Sequence, residues 1–132
     1  MFIYKDTMFE QNKLVVRRFL TEVCSKGNIT LIDELFACDW AGHAPPKEFS
    51  GPAELKQFIA VQRLAFPELE LIVEDQIAEG DRVTTRWTAR RARQGIPPFG
   101  KLHKIGGITL ARLANRKIIE AWANWDGLDL LL

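Results

Sequence analysis

Residues 118–126 of this chain read IIEAWANWD, and they form the last β-strand that the sequence predicts. Tryptophan brings a large apolar surface with one N–H donor. A carboxylate that is desolvated beside it can become a general acid or base. The stretch is therefore typical of the wall of a small-molecule pocket. The alternative interpretation is a strand of the core and an interface, in which Asp126 caps the turn into Gly127.

Alternate side chains of a strand face opposite sides of the sheet. Trp125 therefore shares a face with the small Ala121 and Ala123, which would leave room for a ligand. Trp122 falls on the other face, together with Glu120. Only one of the two indoles is expected to face a cavity, and we predict that it is Trp125.

Helical periodicity in the first half of the chain gives way to strand alternation in the second half. Helices are predicted at 10–25, 31–37 and 52–66, with a short extended piece at 39–44 that ends at Pro45-Pro46. Strands are predicted at 69–77, 82–92, 102–113 and 118–126, with a loop at 95–100. Helices first and antiparallel strands second indicate an α+β fold. A strongly curved sheet wrapped around the helices would form a cone with an internal pocket.

Composition and charge bound the functional classes. The 132 residues predict one domain, 1–132, in which 1–9 form a loose N-terminal extension. The formal net charge of +1 gives no general attraction to nucleic acid or to an anionic membrane, and no apolar run reaches membrane-spanning length. The two cysteines are predicted to be free, buried thiols in a reducing cytoplasm. Two histidines and two scattered cysteines predict no metal site.

Motifs along the whole chain resemble the SnoaL-like polyketide (ester) cyclase family of the nuclear transport factor two-like superfamily. The matching pieces are, in chain order, Asn12-Lys13, residues 16–19, Gly27-Asn28, residues 32–36, His43 with Pro45-Pro46, Gly51-Pro52 with Leu55-Lys56, residues 66–69, 73–75, 79–83 and 86–88, 95–98, Gly100-Lys101, Gly107-Ile108, Lys117-Ile118, Glu120 and Trp122. Their order and spacing, rather than any one piece, carry the resemblance.

The resemblance implies a cystatin-like cone, in which a long helix lies over a curved, mainly antiparallel sheet that encloses a cavity. It also implies a homodimer formed through the outer face of the sheet. The superfamily uses one pocket for cyclases, isomerases, hydrolases and non-catalytic binding, so the fold does not determine the function. Enolate chemistry of the cyclase type needs no cofactor, and none is predicted.

The predicted catalytic residues are Asp126 and His43. In the cyclases of this family, an aspartate on the final strand removes a proton from a carbon next to a carbonyl, and the enolate then closes the ring. This chain has Ala123 directly after Trp122, where those cyclases carry the aspartate, and Asp126 is the nearest carboxylate. An offset of three residues points to the opposite face unless a bulge or the strand end turns the side chain inward. A turn or cap is the structural alternative for Asp126.

His43 stands before a Pro-Pro pair, where the family often has a histidine. It could hydrogen-bond a substrate oxygen or shuttle a proton near neutral pH. The alternative is a rim histidine that is satisfied by backbone carbonyls. His103 is predicted to lie at the surface.

Aromatic side chains are predicted to bind the apolar part of a substrate. These residues are Trp40, Trp87, Trp122, Trp125, Phe58 and Phe99. Packing in the core and in a dimer interface is the alternative explanation for the four indoles.

The arginines at 86, 90, 91 and 93 form a local basic cluster. We interpret it as a solvated or interface face of a strand, with a site for a substrate carboxylate or phosphate as the alternative. Glu120 is expected to pair with an arginine across strands.

The sequence thus predicts a cytoplasmic, cofactor-independent SnoaL-like domain that acts on a small apolar carbonyl compound by enolisation or aldol chemistry. The rivals are a non-catalytic binding protein, a dimer module of the same fold, and an isomerase or epoxide hydrolase.

Overall fold

The computed structural model describes residues 3–91 and 104–126 of the chain. Its helices are α1 (Ile3–Arg18), which continues as a π-helical segment (Phe19–Ser25), a 3₁₀ turn (Ile29–Leu31), α2 (Ile32–Leu35) and α3 (Pro52–Ala65). Its strands are β1 (Phe36–Ala44), β2 (Lys47–Ser50), β3 (Leu69–Glu79), β4 (Arg82–Arg91), β5 (Lys104–Ala114) and β6 (Lys117–Trp125). Among the described helices, none is both long and apolar enough to cross a membrane.

The six strands form one curved sheet in the order β2-β1-β6-β5-β4-β3, and the helices pack on it. The β1–β6 pair is parallel and the other four pairs are antiparallel. The predicted α+β class, with helices packed on a curved and mainly antiparallel sheet, is confirmed. The β1–β6 seam joins the helical half of the chain to its last strand, so residues of both halves border the space between the helices and the sheet.

Local sequence signals explain where the helices begin and end. Gly27 adopts φ 79°, and its N–H donates to the Val23 carbonyl at 2.9 Å, as expected for a glycine that follows a helix. Pro52 occupies the first turn of α3, where a missing N–H costs nothing. Gly51 precedes it at φ 84° and donates its N–H to the Trp40 carbonyl at 2.9 Å, which ties the start of α3 to β1.

Three features differ from the sequence-based expectation. The first helix begins at Ile3 rather than residue 10, and α2 ends at Leu35 rather than 37. Phe36 starts β1 instead, because its ring and the Trp40 ring pack edge to face at 4.8 Å within the core. The Pro45-Pro46 pair does not end the sheet, since β1 turns there into β2.

The core lies between the helices and the inner face of the sheet. Its most buried side chains are Val16, Val23, Ile32, Leu35, Val83 and Ile118. Alternation along β4 and β5 determines which of their side chains enter the core. The odd-numbered residues from Val83 to Ala89 and from Ile105 to Leu113 face inward.

Candidate functional site

An apolar cavity of about 160 Å³ lies between the helices and the inner face of the sheet. Its aromatic walls are Phe19, Phe36, Trp40, Phe49, Phe58, Phe66, Trp87 and Trp125. The polar or titratable side chains among its described lining residues are Cys24, His43, Gln62 and Thr109. An enclosure of this kind favours a ligand with a large apolar surface and few polar atoms.

The last strand contributes one face to the cavity, as its alternation predicts. Ala121, Ala123 and Trp125 line the cavity. Trp122 does not line it, because it projects from the opposite face and stacks on His43 with ring centroids 5.4 Å apart. Trp122 was predicted among the substrate-binding side chains, but it does not line this cavity, because alternation places it on the opposite face of the sheet.

Trp40, Trp87, Trp125 and Phe58 lie where a substrate-binding role requires, although that role stays a prediction. Phe99 and His103 lie outside the described residues. Trp87 and Trp125 approach each other with ring centroids 6.4 Å apart, across the intervening strand β5. They form one continuous aromatic surface on the inner face of the sheet.

Glycines make room for two of the indoles. A Cβ atom added at Gly107 would lie 2.2 Å from Cζ2 of Trp87, and one added at Gly42 would lie 2.3 Å from Cη2 of Trp40. Both distances are far below van der Waals contact, so each indole rests directly on glycine backbone. The sequence signal for this arrangement is a glycine inside a strand, which often marks a close approach.

The two indoles differ in their hydrogen bonding. Trp87 donates its Nε1–H to Oγ1 of Thr109 at 2.9 Å, and both side chains are buried. Nε1 of Trp40 is also buried, but it has no hydrogen-bond partner in the described part of the chain. Of these two indole N–H groups, that of Trp87 has an acceptor and that of Trp40 has none among the described residues.

Cys24 is a cavity-lining residue that sequence reasoning assigned only as a buried thiol. Burial raises the pKa of its thiol to about 12, and the charge of Arg63 opposes that shift. The thiol therefore stays protonated near neutral pH and is a poor nucleophile. Cys24 contributes apolar surface rather than reactivity.

His43 lies in a charged cluster on the outer face of the sheet. Its Nδ1 is 2.6 Å from Oε1 of Glu48, and its Nε2 is 2.9 Å from Oε2 of Glu120. Glu120 in turn accepts a hydrogen bond from Arg112 at 2.9 Å, which matches the cross-strand arginine expected for it. Because carboxylates only accept hydrogen bonds, the ring satisfies both partners when both of its nitrogens are protonated.

The cluster changes the protonation of its members. Hydrogen bonding to Glu120, and secondly to Glu48, raises the pKa of His43 above its ordinary value. Hydrogen bonding from Arg112, and secondly from His43, lowers the pKa of the Glu120 carboxyl. The ring nitrogens are thus engaged away from the ligand space, although His43 borders the cavity. In this arrangement His43 links β1, β2 and β6.

The raised pKa of His43 predicts a pH-dependent contribution to stability. The imidazolium stabilises the fold, so the contribution is fully present below the unfolded-state pKa of about 6.5 and is lost as pH rises through the folded-state pKa. We expect the difference in unfolding free energy between wild type and His43→Gln to shrink as pH rises above the unfolded-state pKa of about 6.5, as measured by urea unfolding. The Glu120→Gln variant should lower the pKa of His43 in an NMR titration. An unchanged pKa in that variant would contradict the assignment.

Asp126 immediately follows β6 and is exposed. Its backbone N–H donates to the Gly106 carbonyl at 3.3 Å, and β6 pairs with β5 without a bulge from Glu120 to Trp125. Alternation therefore places Asp126 on the side opposite Trp125. Asp126 follows the cavity-wall residue Trp125 in sequence, but it is not among the residues that line the cavity.

The basic residues of β4 pair with acids of β3 on the outer face of the sheet. Arg86 lies 3.1 Å from Asp75, and Arg90 lies 3.0 Å from Glu70. These exposed ion pairs fit the interpretation of a solvated strand face. Residue 93 and the side chain of Arg91 lie outside the described residues.

Comparison with known proteins identifies the family. The SnoaL-like polyketide cyclase family matches residues 14–132, which is most of the chain. The chain belongs to the SnoaL-like polyketide cyclase family. Among curated proteins, none matches the chain significantly.

Solved structures of the SnoaL-like fold superimpose on the chain. A candidate SnoaL-like polyketide cyclase from Jannaschia sp. CCS1 is 26% identical, with 92% of this chain and 90% of that chain covered and a TM-score of 0.79. A candidate polyketide cyclase from Acidithiobacillus ferrooxidans is also 26% identical, with 92% of both chains covered and a TM-score of 0.74. IdmH, a candidate polyketide cyclase from Streptomyces antibioticus, is 22% identical, with 92% and 96% covered and a TM-score of 0.78, and shows the fold alone.

Within this SnoaL-like chain, sequence reasoning found the three indoles and one of the phenyl rings of the cavity wall, Trp40, Trp87, Trp125 and Phe58, but it missed the other phenylalanines and the acidic partners of His43. The acidic partners of His43, Glu48 and Glu120, lie on other strands, so no local sequence pattern predicts these contacts. Membership of the SnoaL-like family establishes the architecture around the cavity, and the chemistry has to be argued from the residues of this chain.

Proposed function

We propose that this protein binds a small apolar carbonyl compound in its aromatic cavity and acts on it by cofactor-independent acid–base chemistry of the enolisation or aldol type. The observation that carries the proposal is the cavity itself, which is apolar and surrounded by indole and phenyl rings. Membership of a polyketide cyclase family supports carbonyl chemistry.

The size of the cavity limits the ligand. An apolar cavity of about 150 Å³ in another protein takes up benzene, and the volume here is about 160 Å³. The pockets of drug-sized ligands are several times larger, at roughly 300–1,000 Å³. The described walls therefore fit a compound built on one ring, or a ring-sized segment of a longer chain.

For the chemical step we propose Asp126 as the base. Its carboxylate would take a proton from the carbon next to the carbonyl, and the C–H bond electrons would form the enolate. The enolate carbon would attack a second carbonyl carbon of the same molecule, and the new alkoxide would recover the proton. No oxidant or reductant is consumed. Asp126 is the carboxylate next in sequence to Trp125, a cavity-wall residue, and it stands where β6 ends, so the step requires the chain to turn its side chain from the outer face towards the cavity.

A binding protein without turnover is the second candidate. It is favoured by one observation, which is that no carboxylate belongs to the described residues lining the cavity. The two candidates share the ligand and differ in proton transfer. Incubation with acetophenone in D₂O distinguishes them, because a catalyst accelerates deuterium incorporation into the methyl group next to the carbonyl and a binding protein does not.

Binding is tested by filling the cavity. Ala123 lines it, so the phenyl ring of Ala123→Phe would occupy ligand space, whereas the same ring at the exposed Asn124 would not. We expect Ala123→Phe to weaken acetophenone binding by at least about tenfold, because the ligand must compete with a covalently attached ring. Asn124→Phe should change it little. Quenching of tryptophan fluorescence gives the affinities, and equal affinities for both variants would contradict the assignment of the cavity as the binding site.

We also propose that the protein forms a homodimer through the outer face of the sheet. Ile77 and Ile108 are 72% and 51% exposed on that face, and the partly exposed Trp122 adds to its apolar surface. Exposed apolar side chains that are grouped on one face of a sheet mark a site of protein–protein interaction. Sedimentation equilibrium should show a dimer for wild type and a shift towards monomer for Ile108→Lys. A monomer at every wild-type concentration would refute this part of the proposal.

A further inference from the structure

The indole N–H of Trp40 is a buried donor without an acceptor. The side chain is 3% exposed, and Nε1 has no hydrogen-bond partner among the described residues. Most buried donors in native proteins are paired, because an unpaired one forfeits its hydrogen bond to water. An exception in a cavity wall calls for an acceptor that is supplied from elsewhere.

The neighbours of Trp40 explain why the described residues around it supply no acceptor. The Phe36 ring packs edge-on at 4.8 Å and the Phe49 ring stacks at 6.2 Å, both measured between centroids. The benzene edge of the indole lies against the backbone of Gly42. These contacts hold the ring in place and none of these side chains carries a hydrogen-bond acceptor.

Trp87 is a second indole in the cavity wall, and the protein provides an acceptor for its N–H. Trp87 lines the same cavity, and its Nε1–H is satisfied by Thr109 at 2.9 Å. The contrast assigns different functions to the two rings. The N–H of Trp87 holds the cavity wall together, whereas the N–H of Trp40 is buried and has no partner in the part of the chain that the structure describes.

We infer that Trp40 is the specificity-determining donor of the cavity, and that its Nε1–H binds the carbonyl oxygen of the ligand. This inference rests on the proposed function and names the polar contact through which the cavity selects a carbonyl compound over a hydrocarbon of the same shape. A carbonyl oxygen loses its hydrogen bonds to water when it enters an apolar cavity, so a single buried donor decides whether it binds favourably.

The inference predicts a change in ligand preference when the donor is removed. Acetophenone and ethylbenzene have similar shapes, and only the ketone accepts a hydrogen bond. In Trp40→Phe we expect the affinity for acetophenone relative to ethylbenzene to fall about tenfold from its wild-type value. The matched control is Trp122→Phe, which removes an indole N–H on the outer face of the sheet, where it does not line the cavity. Its ratio should equal that of wild type.

A measurement on the wild-type protein tests the same hydrogen bond directly. In a ¹H–¹⁵N spectrum, the indole resonance of Trp40, assigned by its loss in Trp40→Phe, should move downfield with acetophenone and not with ethylbenzene. If both ligands bind with the same ratio in wild type and Trp40→Phe, or if the Trp40 resonance responds equally to both, the inference is overturned while the cavity remains the binding site. If neither ligand binds wild type, both the inference and the proposed function fail.

Discussion

Asp126→Asn is expected to slow the enzyme-catalysed exchange of the methyl protons of acetophenone in D₂O by about 100-fold or more, with little change in affinity for the ketone. A positioned carboxylate that accepts a proton contributes roughly 10²–10⁴-fold to a rate, and an amide of the same shape cannot accept it. Affinity should persist because the apolar walls that surround the ligand do not include Asp126. The rate is followed by the loss of the methyl signal in proton NMR spectra.

Asp81→Asn is the matched control for this substitution. Asp81 lies beside Leu113 at the opposite end of the sheet, where its carbonyl accepts the Leu113 N–H at 2.8 Å. Asp126 instead adjoins Gly106, seven residues away along β5, which at about 3.3 Å per residue is roughly 23 Å. The control should exchange protons at the wild-type rate. Equal rates in wild type and Asp126→Asn would remove Asp126 from the chemistry and leave ligand binding as the better account.

Gly107→Ala is expected to destabilise the protein by about 3 kcal/mol and to lower its melting temperature by about 10 °C. The added Cβ would lie 2.2 Å from Cζ2 of Trp87, so the indole has to move. Trp87 cannot move freely, because it is buried and its Nε1–H is bonded to Thr109 at 2.9 Å. The cost therefore combines overpacking with a strained or broken buried hydrogen bond.

The neighbouring glycine provides the control. A Cβ added at Gly106 meets nothing within 4 Å, and Gly106 is exposed on the other face of the same strand. Gly106→Ala should therefore stay within about 1 kcal/mol of wild type, because alanine costs less conformational entropy than glycine in a strand. Urea unfolding of the two variants measures the difference. A Gly107→Ala variant as stable as Gly106→Ala would contradict the close packing of Trp87 on the glycine backbone.

Periodicity was enough to predict the layers of the fold and the orientation of its last strand. The change from helical to strand spacing gives the α+β class, and alternation alone separates Trp125, on the cavity wall, from Trp122, on the outer face. The start of α3 at Pro52 also follows from local chemistry. These features depend on residues that are close in sequence, so the sequence contains the information directly.

The features that could not be predicted depend on pairing between distant residues. Strand β2 exists because it pairs with β1 beyond the Pro45-Pro46 turn, and a Pro-Pro pair read locally signals the end of a strand. The His43–Glu120 contact spans 77 residues and requires the parallel β1–β6 register. The pairing of Gly107 with Trp87 likewise requires the β4–β5 register. Isolated glycines within strands signal a close approach without naming the side chain that uses it.

The parallel seam between β1 and β6 has a consequence for the time at which the cavity can exist during synthesis. Phe36 of β1 pairs with Ile118 of β6, so the ribosome must extend the chain to residue 118 before this pair of the seam can form. Contacts between such distant residues require the closure of a long loop, which slows folding. Until β6 is present, it cannot pack beside the rings of Phe36 and Trp40. The nascent protein therefore depends on β6 to bury these rings and to prevent their association with other chains.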